Sequence, residues 1–179
     1  MNDNVSVLEE HRIKQKANQM VNGETTSIKD IVTFAEVAPI AVPPSLLLEA
    51  DPSASSIASY LLDSWCCVAL KNKQIIAACV LKQTDTDVAE LFNIAVSPEC
   101  QGNGWGTGLL KYAIQFTRRK KIKRLEIGTG TFGYQLAFYQ RMGFRASEVV
   151  TNHFLENYDE PIWENGVQHK DMLRLYLDL

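Results

Sequence analysis

No run of apolar residues in this 179-residue chain approaches the ~18 needed to cross a bilayer as a helix. An excess of one charge is missing too. The formal net charge is -3, which gives no general pull toward nucleic acid or an anionic membrane. The opening residues, MNDNVSVLEE, have neither the basic start nor the apolar centre of a secretory leader. A cytoplasmic protein with no nucleic-acid or membrane partner is therefore expected. Metal-site patterns are lacking as well. Cys66, Cys67, Cys79 and Cys100 form no C-x-x-C pair and sit among apolar neighbours. His11, His153 and His169 are too far apart for a local ligand motif. Reduced, unliganded thiols and no metal are the expectation.

What is present suits one compact domain: 46% of the residues are hydrophobic, enough for a sizeable core. Residues 1–27 are polar with a weak apolar stripe and read as an arm or appended helix. From residue 28 to 179 the texture is that of a folded domain. IVTFAEV suits a strand, which APIAVPP breaks with prolines. SLLLEA and SSIASYLLDS read as helices, the second after a Ser-rich cap. CCVALKN, QIIAACVLKQT and VAELFNIAVSP read as three successive strands joined by tight turns. A helix follows to the basic run RRKKIKR, then the strand LEIGTG, the helix YQLAFYQRMG, and two closing strands, EVVTNHFL and MLRLYLDL. The order predicts an α/β (α+β) fold: a single mixed, mostly antiparallel sheet of six to seven strands flanked by helices. Closing strands of this kind can pair between subunits, so a homodimer is allowed.

Between strand and helix stands CQGNGWGTGLL, with glycine at 102, 104, 106 and 108. The Lys-Ser/Thr pair of an NTPase phosphate loop is missing. The dinucleotide spacing G-x-G-x-x-G fails at Thr107 and at Leu109. A bare helix entrance whose N–H groups cradle a diphosphate is what fits. Glycines inside a first helical turn cost roughly 0.5–1 kcal/mol each, which suggests that something approaches the backbone closely.

The stretch ELFNIAVSPECQGNGWGTGLL resembles the acyl-CoA signature of the GNAT superfamily of N-acetyltransferases, Arg/Gln-x-x-Gly-x-Gly/Ala after a strand ending Val-x-Pro. AFYQRMGFR, about thirty residues on, resembles a second element of that family. The resemblance implies a splayed pair of central strands and acetyl-CoA as cosubstrate. It further implies direct transfer of acetyl to a primary amine, on a small molecule or a peptide N-terminus. A catalytically silent acyl-CoA sensor is the alternative. By the same resemblance, the main chain of Gln101, Gly102, Asn103, Gly104, Trp105, Gly106 and Thr107 would hold the pyrophosphate. Backbone groups of Ile94, Ala95 and Val96 would line the pantetheine arm.

Tyr139 is the implied proton donor to the leaving thiolate, although beside Phe138 it equally fits a core position. Glu90 is either a base working through water or a carboxylate at a strand end that meets solvent. Strict alternation would put Glu90, Phe92, Ile94 and Val96 on one face and Leu91, Asn93 and Ala95 on the other. Where the family often carries Asn the chain has Phe132, so Thr129 and Thr131 offer the nearby hydroxyls, with Thr129 the candidate cofactor contact. The loop ENYDEPIWENG sets Glu156, Asp159, Glu160 and Glu164 beside Tyr158 and Trp163, a composition suited to a cationic amine. Glu160, Phe92, Asn152 and His153, the last two expected on a strand, are the candidate acceptor-binding residues. The basic run Arg118–Arg124 reads as a solvated helix end, with the 3′-phosphate of CoA or nucleic acid as alternatives.

Overall fold

Proline decides where the first strand stops. In the computed structural model, which describes residues 31–179, β1 (Val32–Val37) gives way to a prolyl turn and then to a single helical turn, α1 (Pro44–Leu47). Proline is tolerated at that helix start, where its missing N–H would have had no partner. α2 (Ala54–Leu61) begins at Ser53, whose Oγ accepts the Ser56 N–H at 3.2 Å. β2 (Trp65–Lys71) and β3 (Gln74–Asp85) are joined by Asn72 and Lys73, both with positive φ (51° and 68°), as a two-residue hairpin turn requires. β4 (Val88–Val96) leads through the glycine stretch into α3 (Trp105–Arg119). Then come β5 (Arg124–Gly130), α4 (Tyr134–Arg141), β6 (Arg145–Val150) and α5 (His153–Asn157). A small hairpin, β7 (Trp163–Glu164) and β8 (Val167–Gln168), precedes β9 (Met172–Asp178).

Seven strands form one sheet in the order β1-β2-β3-β4-β5-β9-β6. Every pairing is antiparallel except β4 with β5, which α3 connects as a crossover. This is the expected mixed sheet. Leu109, Leu110 and Ala113 of α3 pack on one face with Leu91, Leu125 and Leu175. Leu46, Leu47, Ile57 and Tyr60 of α1 and α2 cover the other with Val68, Val80 and Ala95. The arm expected over residues 1–27 lies outside the described residues.

Local structure departs from the sequence reading in three places. EVVTNHFL is not one strand: β6 ends at Val150, Asn152 turns the chain with φ 61°, and His153 starts α5. β9 is paired on both sides, so of the two closing strands only β6 has an edge without a strand partner among the described residues. The alternation along β4 fails as well. Leu81 pairs with Leu91 but Val80 pairs with Asn93, which leaves Phe92 as the extra residue of a bulge. Beyond it the faces exchange. Ile94 and Val96 join Leu91 on the α3 side, while Phe92 and Ala95 pack with α2 residues on the other.

Candidate active site

β4 and β5 pair only from Val88 to Glu90, against Arg124 to Glu126. After that rung β5 continues along β9 and β4 turns away, so the expected splay is present. From Leu91 to Val96 the β5-facing edge of β4 has no strand partner among the described residues. Arg174 of β9 spans the fork. Its Nη1 and Nη2 donate to Glu90 Oε1 and Oε2 at 2.6 and 3.1 Å, and Nη2 also donates to Glu126 Oε2 at 3.0 Å. Glu90 and Glu126 face each other across adjacent strands and would repel, and the guanidinium fork holds them together.

Where the strands part, a cleft of about 680 Å³ opens. Its walls include Ile94, Ala95 and Val96 of β4, the glycine stretch, and Tyr134, Gln135, Phe138 and Tyr139 of α4. Of the residues expected at the cofactor, Gln101, Gly102, Gly104, Trp105, Gly106 and Thr107 all line it. Trp105 does two things, since it also packs against the core. Gln101 braces the turn: its Nε2 donates to the Val96 carbonyl at 3.0 Å. Asn103 braces it from outside the cleft, donating to the carbonyls of Cys100 and Gln101. Thr129 does not reach the cleft. It is buried in β5, and its hydroxyl has no partner among the described residues.

The four glycines serve different ends. Gly102 and Gly104 have φ of 75° and 79°, which disfavour any side chain, and a Cβ on either would meet only open space. Gly104 is the residue before α3. The N–H groups of the following first turn lack intrahelical acceptors, and the positive end of the helix dipole is here. Gly108 answers to packing instead, because a Cβ there would lie 2.7 Å from Phe34 Cζ. No lysine or arginine among the described residues lines the cleft. What the turn offers an anion is therefore main-chain N–H, which fits a diphosphate brought against bare backbone.

Tyr139 is both a core residue and a cleft residue. It is 6% exposed, packs edge-on to Phe144, and makes no side-chain hydrogen bond among the described residues. Burial, with a smaller contribution from Cys79, pushes its hydroxyl well above the ordinary tyrosine range, so it stays protonated.

A second cavity, about 350 Å³, adjoins the first through Glu49, Ala50 and Gln135, which line both. It holds Phe154, Tyr158, Trp163, Glu164 and His169. The acceptor residues expected from sequence lie elsewhere. Phe92 stacks on Tyr60 at 5.1 Å, Asn152 is exposed with its N–H on Asp171 Oδ1, and Glu160 is exposed. His153 is held below the usual histidine range by burial first and by Arg174 next, and it lines neither cavity. Glu90 lines neither, and both its oxygens are on Arg174. Sequence reading missed Glu49 and His169, and noted Glu164 without choosing it. The usable signal was Asn165-Gly166, both with positive φ, the pair that closes a two-residue hairpin. That hairpin carries Glu164 against α4.

The basic run is largely engaged in local contacts. Arg119 lies over Tyr112, Lys120 is 3.6 Å from Glu36, Lys123 pairs with Asp87 at 2.6 Å and Arg124 with Asp178 at 2.9 Å. None of residues 118–124 lines either cavity.

Comparison with known proteins agrees with this geometry. Residues 36–144 match the Acetyltransferase (GNAT) family. The chain is 41% identical over 135 residues to YvbK of Bacillus subtilis, an uncharacterized N-acetyltransferase, covering 75% of this chain and 87% of that one. A GNAT family acetyltransferase from Elizabethkingia anophelis, solved with acetyl-CoA bound, superposes with a TM-score of 0.80 at 41% identity, covering 84% of this chain and all of that one. An IAA acetyltransferase from Bacillus cereus superposes with a TM-score of 0.79 at 38% identity, over 83% of this chain and all of the other.

Proposed function

The chain belongs to the GNAT family of acetyltransferases, and we propose that it carries acetyl from acetyl-CoA directly to a primary amine, on a small molecule or a peptide N-terminus. One observation carries this reading: the bared turn before α3 and the Tyr139 ring open onto the same cleft. Acetyl-CoA brings a thioester already activated toward amines. The chain supplies position and proton handling.

The main-chain N–H groups around Gly104 hold the diphosphate end. The unpaired edge of β4 offers Ile94 and Val96 backbone groups to the pantetheine arm, as a sheet edge does to an added strand. Tyr139 donates a hydrogen bond where charge develops on the leaving sulfur. Because burial makes this phenol a weak acid, it works in concert with removal of a proton from the attacking amine. Glu90 is tied to Arg174, so we assign proton removal to Glu49, acting through water. Glu49 lines both cavities, and its carboxylate has no hydrogen bond or ion pair among the described residues; its N–H donates to the Leu46 carbonyl. Cys100 also lines the cleft, but direct transfer requires no nucleophile from the protein.

The test is release of free CoA thiol from purified protein with acetyl-CoA and a panel of primary amines, with the N-acetyl product identified by mass. Amine-dependent release is expected, and Cys100→Ala should retain it. Stabilisation by acetyl-CoA with no release from any amine would instead mean a silent acyl-CoA-binding module.

A further inference from the structure

We infer that the second cavity takes a second positive charge on the acceptor, so that the substrate class is a small aliphatic diamine rather than a simple monoamine. This rests on the acetyl-transfer reading above. The nitrogen that attacks the thioester must be neutral, so it does not remain as an ammonium on a carboxylate. A carboxylate set farther back, beyond Glu49, therefore serves a different nitrogen.

Glu164 is that carboxylate, and it is held in place. Its Oε1 accepts the Tyr134 N–H at 3.2 Å, and its Oε2 lies 3.1 Å from His169 Nε2. The fixed position has left a mark on the neighbouring backbone. A Cβ on Gly133 would come within contact distance of the Glu164 carboxylate, and one on Gly130 would strike the His169 ring. His169 is 7% exposed, and Phe132 stacks on its ring at 4.2 Å. Its Nε2 is turned to Glu164 and its Nδ1 to the other side. That buried nitrogen has no partner among the described residues and faces Gly130 in the cavity wall. The polar side chains here are Glu49, Gln135, Glu164, His169 and the Tyr158 and Trp163 tips, with no lysine or arginine among the described residues. Such a wall suits an ammonium group, which only donates, and the aromatic faces add cation–π attraction. The cavity's 350 Å³ has room for a few methylenes and an amine head. His169 acts here as a positioning residue for Glu164.

The experiment compares 1,4-diaminobutane with 4-amino-1-butanol, equal in length but neutral at the far end. For the wild-type protein kcat/KM should favour the diamine by about tenfold or more, the size of one charge-assisted hydrogen bond. Glu164→Gln should abolish that preference through the diamine KM while leaving the KM for acetyl-CoA unchanged. His169→Ala should weaken the preference, and His169→Gln, which keeps a donor for Glu164, should restore part of it. Equal kcat/KM for the two amines in the wild-type protein overturns the inference, whether or not the variants fold. Calorimetry of diamine binding separates the two readings. Glu164-dependent binding without turnover of any amine would sink acetyl transfer and leave the diamine pocket standing.

Discussion

Arg174 grips Glu90 through two hydrogen bonds at the last rung where β4 and β5 still pair. The same guanidinium reaches Glu126 on the opposite strand. The cleft opens immediately beyond, so this pin sets where the sheet divides. Arg174→Met would leave two carboxylates facing each other, largely shielded from water. A loss of about 1–3 kcal/mol is expected, between a surface pair and a fully buried one, because all three groups are partly buried. Urea denaturation measures it, and a loss below about 0.5 kcal/mol, the level of a surface pair, would deny the pin its role.

From sequence Glu90 is a candidate base and Glu49 has no role; we propose the base at Glu49 instead, and variants of the two should separate. Glu90→Gln should lower the denaturation midpoint and leave kcat within about threefold. Glu49→Gln should lower kcat by about 10²-fold near neutral pH, a typical effect of losing a general base. Steady-state kinetics on both proteins decides the assignment. The opposite pattern would return the base to Glu90.

Tyr139→Phe should reduce kcat by about 10²-fold and change the acetyl-CoA KM little, since the ring still fills its place beside Phe144. Burial raises the hydroxyl above its ordinary value, so kcat should show no fall from Tyr139 ionisation before pH ~10. An alkaline limb below pH 9 that vanishes in Tyr139→Phe would contradict this.

The same burial makes stability depend on pH. Tyr139 and Tyr60 are both held above the ordinary range, chiefly by desolvation. With folded values raised, the unfolded chain releases these protons first. Their contribution is complete below pH ~10 and is lost as pH climbs toward the folded values. The melting temperature should therefore fall above pH ~10, and less steeply for Tyr60→Phe. Equal slopes for the two proteins would count against it.

Much of this was legible in the sequence because it is local. Strand periodicity, the crossover and the glycine-flanked turn depend on residues close along the chain, and the Gln101–Thr107 segment lines the cleft as expected, apart from Asn103. What was not legible depends on distant partners. The bulge at Phe92 arises from the register with Val80 and Leu81, and it reversed the face assigned to Ile94. Glu90 looked free because Arg174 is 84 residues away. Gly108 reads in sequence as one of four alternating glycines, but Phe34 of β1 occupies the space beside it. Asn152 and His153 continue an apolar strand pattern, yet Asn152 adopts the left-handed conformation that asparagine tolerates.

The glycines give a paired prediction. Gly108→Ala should destabilise the fold by about 1–3 kcal/mol through the clash with Phe34 and leave acetyl-CoA affinity largely intact in the folded fraction. Gly104→Ala should cost about 1–2 kcal/mol of backbone strain and also weaken acetyl-CoA, because its Cβ enters the space a diphosphate needs. Melting curves with and without acetyl-CoA distinguish them, and equal ligand-induced shifts in both variants would remove Gly104 from the binding turn.

Calorimetric titration of the purified protein with acetyl-CoA tests the central claim most directly. One molecule per chain should bind and saturate well below millimolar ligand, with affinity lowered in Gly104→Ala. No detectable heat or stabilisation at millimolar acetyl-CoA would contradict the main-chain grip and the transfer built upon it.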